Sequence, residues 1–429
     1  MSNEERRLSG LTATFLVVAS MVGTGVFTTS GLLLADLRSA PAVLLAWGLG
    51  GLLAMTGALS YAELVTALPK NGGEYALLGE IYHPALGFVA GVVSFVVGFS
   101  APIAASALAF GSYLHALVPE VPAMPAALAL VLLSSLAHAF RVRVGGVMQD
   151  ALTVFKILLV AGFVAVAAFG IDPARLHAAE APLLEATLSP SFAVALIYVS
   201  FSYSGWNAAA YVAGEMKDPH RALPVALIVG TGLVTVLYLA VNVVFLGAAP
   251  AADLSGVVEV GHVAALALLG PSAGAALSAI IAFGLVATVG ALIMTGTRVL
   301  EAMGADHGPL AMLARRATGG GPVIAVGLQG AAATVMVLTA SFDALLGYIG
   351  FTLSLFAALT VLGVFVLRWR RPGLLRPHRV WGYPFTPLLF VCLMLWMIVW
   401  SIWEQPIVAL FGAGTVALGL AAWAALRGR

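Results

Sequence analysis

The chain has 429 residues, of which 61% are hydrophobic and only 9% charged, and its formal net charge is +1. Soluble domains carry about 25% charged residues, so this composition excludes an assembly of soluble domains. The near-zero charge offers no basic face to nucleic acid, and a single cysteine, Cys392, permits neither an internal disulfide nor a thiolate metal cluster.

A mean hydropathy of +1.05 leaves no soluble domain hidden inside the average, and the apolar residues suffice for about twelve membrane-spanning helices of ~20 residues. The sequence reads as an all-α polytopic membrane protein in contact with a lipid bilayer. In chain order, the apolar runs predict spans at 10–35, 40–68, 85–114, 124–139, 147–169 and 190–213. They continue at 223–248, 265–297, 322–340, 342–367, 384–403 and 405–426. The first apolar run follows a mixed-charge start (Glu4, Glu5, Arg6, Arg7) and lacks a cleavage-site pattern, so a retained first span is expected rather than a signal peptide.

The positive charges orient these spans. With the N-terminus inside, 17 Lys and Arg residues fall in inner segments, among them Arg6, Arg7, Lys70, Arg141, Arg143, Lys217, Arg221 and Arg298. Only Arg38 and Arg175 fall in outer ones. The positive-inside rule then puts both termini in the cytoplasm, and the plasma (inner) membrane is the expected location. The remaining positive charge, Lys156, sits in mid-span, roughly 14–20 Å from either end of the helix at 1.5 Å per residue. Such a charge costs about 2.5–3.5 kcal/mol on insertion scales and marks a functional position by default.

Two spans are interrupted near mid-membrane. In the first, Gly23-Thr24-Gly25 follows Met21 and Val22; in the sixth, Ser202-Tyr203-Ser204-Gly205 precedes Trp206 and Asn207. Glycine costs about 1 kcal/mol against alanine within a helix, and serine competes for backbone hydrogen bonds. Small residues also serve close packing, so either cluster alone says little. Their places do: they head two five-helix halves, the pattern that points to a substrate site in secondary transporters. A single transporter domain results, with halves at 1–170 and 190–368 and two further helices at 384–426.

Five ordered motifs add a resemblance. Gly23-Thr24-Gly25-Val26-Phe27 resembles the first-span signature of amino acid–polyamine–organocation transporters. Pro69-Lys70-Asn71-Gly72-Gly73-Glu74-Tyr75, ending at His83-Pro84, resembles their first cytoplasmic loop. Phe201 to Asn207, continuing through Glu215-Met216-Lys217-Asp218-Pro219 to Leu223-Pro224, is similar to their sixth span and the loop after it. Arg298 with Ala302-Met303-Gly304-Ala305-Asp306 resembles the end of the eighth span, and Arg376 to Pro384 the start of the eleventh. The pattern is most similar to the L-amino-acid transporter branch. The resemblance implies the leucine-transporter-like fold, a 5+5 inverted repeat plus two helices, and sodium-independent exchange or proton-coupled uptake of amino acids. Animal members of that branch pair by disulfide with an accessory glycoprotein through a cysteine between spans three and four. The matching segment here, His115 to Pro125, has none, so no disulfide-linked accessory subunit is expected.

An amino acid presents a carboxylate and an ammonium on one carbon, and two unwound segments facing each other match that pair. The amides of Thr24, Gly25 and Val26, at the positive end of a half-helix, are the candidates for the carboxylate, and a Cβ on Gly25 is expected to occupy ligand space. The carbonyls of Met21, Val22, Phe201, Ser202 and Ser204 are those for the ammonium, with the Phe201 ring as an aromatic gate. Trp206 reads as structural, and Asn207 as a tie across the sixth-span break. No Asp or Glu lies near either break in the sequence, so a cationic side chain would lack a counter-charge, and small or medium neutral amino acids are expected. For Lys156 the resemblance implies the spot where relatives on this fold hold sodium. Its ammonium would then contact carbonyls near Ala19 or Val22 and the Thr288 hydroxyl. No metal and no cofactor are expected, since His115, His138, His262 and His307 lack metal-ligand spacing. A carrier for cationic amino acids, polyamines or other organic ions is the alternative on the same fold. A membrane-embedded enzyme would need paired ionisable groups in mid-bilayer, and a channel a filter-like ring; the sequence displays neither.

Overall fold

The computed structural model describes residues 8–70, 72–139, 146–180, 182–316 and 322–427, with the side chains at 146–153, 156 and 427 left outside that description. Arg6, Arg7, Asn71, Arg141, Arg143, Arg429 and the Lys156 side chain therefore lie outside the described residues. The first expected span is two helices, α1 (Gly10–Met21) and α2 (Gly25–Leu37), and the second is α3 (Ala40–Ala67). A loop helix, α4 (Glu74–Ile81), precedes a third span made of α5 (Pro84–Val93), a π-helical stretch Ser94–Ser100 and α6 (Ala101–Leu117). Then come α7 (Ala123–Ala139), α8 (Gly146–Ala167), a 3₁₀ turn Pro173–His177 and the short α9 (Leu183–Leu188). The sixth span is α10 (Pro190–Ser202), five non-helical residues and a 3₁₀ stretch Ala208–Glu215. The long α11 (Pro219–Ala248) is followed by α12 (Ala251–Leu254), α13 (Val260–Leu269) and α14 (Pro271–Asp306). After a 3₁₀ turn Gly308–Ala314, the chain ends in α15 (Val323–Thr339), α16 (Phe342–Arg370), α17 (Phe385–Glu404) and α18 (Pro406–Arg427).

Among the described residues, eight helical stretches are long and apolar enough to cross a membrane. Of the other four expected spans, three correspond to shorter apolar helices, α7, α10 and α15, and the fourth to α8. Helix starts are chemically marked: Ser39, Ser189 and Ser341 each accept an amide hydrogen from the first turn, satisfying a donor that has no partner within the helix.

Four expectations are corrected. The predicted span 265–297 runs two elements together: Gly270, at φ +86, ends α13, and Pro271 starts α14. Hydropathy is continuous across that corner, so the Gly-Pro pair was its only signal. That second helix also runs past the expected end at 297 to Asp306, so Arg298, counted in the inner segment that follows the span, lies within α14. The third span is not uniformly α-helical. Pro102 has no N–H to donate back along the helix and its ring crowds the preceding turn, and the ladder widens just before it, with Ser100 Oγ bonding the Phe95 carbonyl at 2.9 Å. The segment after Lys70, read as loop, contains a helix.

A buried ion pair joins α3 to α16 and to the segment that leads into α17. Glu63, 1% exposed, receives two hydrogen bonds from Arg368, at 2.9 and 2.7 Å, and one from the Val380 amide at 2.8 Å. Arg376 lies 3.5 Å away, and the Arg368 guanidinium stacks 3.8 Å over the Tyr383 ring. Removing one partner of a buried pair costs about 3–5 kcal/mol. Because Arg368 is partly exposed, Glu63→Ala is expected at the low end, about 3 kcal/mol, read as a fall in thermal unfolding temperature in detergent. An unchanged midpoint would show the pair to be energetically idle.

Candidate functional site

The two interrupted spans meet. α2 packs along α10, and α1 along α11. The first break spans Val22 to Thr24, as the Gly-Thr-Gly cluster predicts, and the second runs from Tyr203 to Asn207. Gly205 adopts φ +98, and a Cβ there would lie 2.7 Å from the carbonyl carbon and oxygen of Ser20. The sixth-span break is thus seated directly on the backbone of α1.

Hydroxyl contacts fix the breaks to their neighbours. Thr24 Oγ1 shares a 2.6 Å hydrogen bond with Ser106 Oγ on α6, and Thr29 Oγ1 a 2.9 Å bond with Ser202 Oγ. The Tyr238 hydroxyl, from α11, donates to the Met21 carbonyl and approaches the Ser202 carbonyl at 3.2 Å. One side chain therefore spans the last helical residue of α1 and that of α10. Trp47 and Tyr203 pack around Tyr238, their centroids 5.4 and 5.0 Å away, and hold the ring in place.

Beside the breaks lies a cavity of about 490 Å³, within the ~300–1,000 Å³ of small-molecule sites. Ala19, Met21, Thr24, Gly25, Phe201, Ser202, Ser204 and Thr288, all singled out from the sequence, line it. The π stretch contributes Ser94, Gly98 and Phe99, in keeping with the frequent placement of such widenings at functional sites. The cavity extends to Leu8, Glu215 and Arg298 at one end of the bundle; at the other end α2 and α10 are in contact. Val22 faces instead a 40 Å³ apolar crevice shared with Phe27, Phe155 and Thr288. Val26 is buried behind Gly25 and lines neither space. Backbone positions 154–160 of α8 border that crevice through Phe155, Leu159 and Val160, while the Lys156 side chain lies outside the described residues.

Three expectations about the site change. First, Glu74 lines the cavity and accepts hydrogen bonds from Asn207, Tyr211 and Tyr61, the last at 2.8 Å, so an acidic group does stand at the sixth-span break. It comes from a distant loop, which a scan along the span could not see. Asn207 ties the break to that loop rather than bridging its own backbone. Second, several of the nominated carbonyls are already in use: Met21 accepts from the Gly23 amide and Tyr238, Phe201 from the Ser204 amide, and Ser202 from Tyr238. Among the described residues, those of Val22 and Ser204 remain without a donor. Third, a Cβ on Gly25 would meet the Ser202 α-carbon at 2.5 Å rather than open cavity. Gly25→Val is therefore expected to cost both substrate binding and thermal stability, because α2 and α10 must separate. A stable variant with wild-type substrate affinity would disprove that account.

Phe201 is 6% exposed and lines the cavity. Trp206 packs edge-on against Tyr61, with centroids 4.7 Å apart, and against Phe390, and it also lines the cavity. Tyr75, next to Glu74 on α4, donates a 2.6 Å hydrogen bond to Asp306 at the end of α14. Burial and that carboxylate push its phenol up, so it stays a donor. Among the described residues, no three His, Cys, Asp or Glu side chains gather closely enough to hold a metal ion.

Comparison with known proteins agrees with this architecture. The amino acid permease family matches residues 8–414. The chain is 30% identical to the serine/threonine exchanger SteT of Bacillus subtilis (strain 168), over 90% of this chain and 89% of that protein. It is 27% identical to the mouse b(0,+)-type amino acid transporter 1, over 95% and 84%. It is 28% identical to the human large neutral amino acids transporter small subunit 2, over 97% and 79%. Two facing helix breaks beside a cavity, in a helical membrane protein matched over nearly its whole length, lead to one conclusion: the chain belongs to the amino acid permease family and is an integral membrane transporter, not an enzyme.

Proposed function

We propose that the protein carries small to medium neutral amino acids across the membrane by alternating access, without sodium, as an exchanger or proton-coupled carrier. The observation that carries this reading is the meeting of two broken spans at one cavity, with the start of α2 offered to a carboxylate and unwound carbonyls to an ammonium. In this reading the amides of Thr24 and Gly25 hold the carboxylate, while Val26, the third residue expected from the sequence, is set back from the cavity. The carbonyl of Ser204, which lines the cavity and has no other donor among the described residues, carries most of the ammonium, and Phe201 caps the substrate. The twelve spans form two inverted five-helix halves plus α17 and α18, with both termini cytoplasmic in the plasma (inner) membrane. No disulfide-linked subunit is required.

A second reading rests on Glu74, which brings a carboxylate to the cavity and would suit a cationic substrate side chain. Both of its oxygens are engaged by donors, and this favours neutral substrates. Uptake by purified protein in sodium-free liposomes, with and without internal amino acid and at two pH values, tests the choice. Saturable uptake of a small neutral amino acid, poorly inhibited by lysine or arginine, is expected. Sodium-dependent uptake, or preference for lysine, would overturn the reading.

Lys156 is the proposed substitute for a sodium ion, reaching carbonyls near Ala19 or Val22 and the Thr288 hydroxyl. Lys156→Ala should leave a monodisperse protein with transport reduced at least about tenfold, a change of about 1.4 kcal/mol or more. Near-normal transport by that variant would remove the assignment.

A further inference from the structure

The loop motif Gly72-Gly73-Glu74-Tyr75 has no part in the substrate reading, yet it grips the half-helix that follows the sixth-span break. The Gly72 amide donates to the Tyr211 carbonyl at 3.2 Å. Gly73, at φ +54, lies so close to the Tyr211 ring that a Cβ would sit 2.6 Å from it. Glu74 accepts the hydroxyl of Tyr211, the amide of Asn207 and the hydroxyl of Tyr61 on α3. It is 7% exposed, and among the described residues its partners are hydroxyls and an amide rather than a cation. Burying a carboxylate is costly unless donors saturate it, and here the donors come from two separate elements, α3 and the second half of span six.

The half-helix does not stand alone. Leu8, ahead of α1, donates to the Glu215 carbonyl at 3.1 Å and accepts from the Lys217 amide at 3.2 Å, so the first half of span one is joined to the second half of span six. On the other side of Glu74, Tyr75 reaches Asp306 of α14, and Glu80, at the far end of α4, pairs with Arg371 at 2.8 Å. The loop helix is thereby anchored to α14 and to the end of α16, and it holds the joined half-helices through the Glu74 carboxylate together with the Gly72 amide.

We propose that Glu74 is a positioning residue for transport: it clamps the half-helix Ala208–Glu215, and α1 with it, in the arrangement that opens the cavity toward Leu8, Glu215 and Arg298. The carboxylate is needed because an amide offers a single acceptor oxygen to three donors. This rests on the transport reading for its effect on rate, while its effect on the cavity is independent of any substrate.

The test reads both. A single cysteine at Thr295, on the α14 wall of the cavity, in a Cys392→Ser background, reports the opening through its rate of reaction with a water-soluble maleimide in detergent. Glu74→Gln should slow that labelling at least threefold and slow amino-acid exchange in liposomes at least tenfold, with substrate Kd within threefold of the parent. Tyr211→Phe, which removes one donor and keeps the ring, should shift labelling in the same direction by less. Unchanged or faster labelling in Glu74→Gln overturns the clamp. So does a Kd that collapses together with the rate, which would put Glu74 in the substrate site. Should Glu74→Gln fail to fold, unchanged labelling in Tyr211→Phe overturns the clamp by itself. A parent protein with no amino-acid uptake would defeat the transport reading and leave the labelling comparison intact.

Discussion

Gly205→Ala is expected to reduce transport at least about a hundredfold, equivalent to about 2.7 kcal/mol, and to lower thermal stability with it. Two costs combine. At φ +98 an L side chain is strained, typically by about 1–2 kcal/mol. The added methyl would also stand 2.7 Å from the Ser20 carbonyl, roughly 1 Å short of an ordinary carbon contact. The obstructing atoms are backbone and cannot rotate aside, so α1 must retreat from the break. Gly256→Ala separates the two causes: Gly256 has φ +74, but a Cβ there would meet nothing within 4 Å. That variant should lose about 1–2 kcal/mol of stability and keep transport. Wild-type transport in Gly205→Ala would show that the seating of the break on α1 is unimportant.

Tyr238→Phe is expected to weaken substrate binding by about thirtyfold, about 2 kcal/mol, while the protein remains folded. The phenol holds the ends of α1 and α10 together by donating to the Met21 and Ser202 carbonyls. Met21 keeps the Gly23 amide, at 2.7 Å, so the principal loss falls on Ser202. An unsatisfied buried acceptor costs about 1–3 kcal/mol. Geometry suffers as well, because the two breaks lose a side chain that bridges them, and a site built from both must be held to a fraction of an ångström. Equilibrium binding to purified protein measures the effect. Affinity within twofold of wild type would show the bridge to be dispensable, and tighter binding would show that the hydroxyl competes with the substrate ammonium.

Glu74 and Gly25 show where inference along the chain reached its limit. The sequence displays no acid near residues 202–207, and that is true of the span itself; the carboxylate arrives from a loop over a hundred residues earlier. Gly25 stands at the first break, as its cluster suggests, but a Cβ there would meet Ser202 and not open cavity. Tyr238 and Ser106 look ordinary within apolar runs, and nothing in their flanking residues announces that one bridges both breaks and the other anchors Thr24.

The membrane class, the places of most apolar helices to within a few residues and the location of both breaks were determined by the sequence alone. These depend on local properties: hydropathy summed over ~20 residues, and the helix-weakening cost of adjacent glycines and serines. The corner at Gly270-Pro271 escaped because apolar residues flank it on both sides. Only the tertiary structure decided which groups face the cavity, which carbonyls are already in use, and why Gly25 and Gly205 must lack a side chain. Those depend on contacts between residues distant in the chain, such as Gly205 with Ser20 and Glu74 with Tyr211. Close packing makes such contacts sensitive to a single methyl group, and no property of the local sequence encodes them.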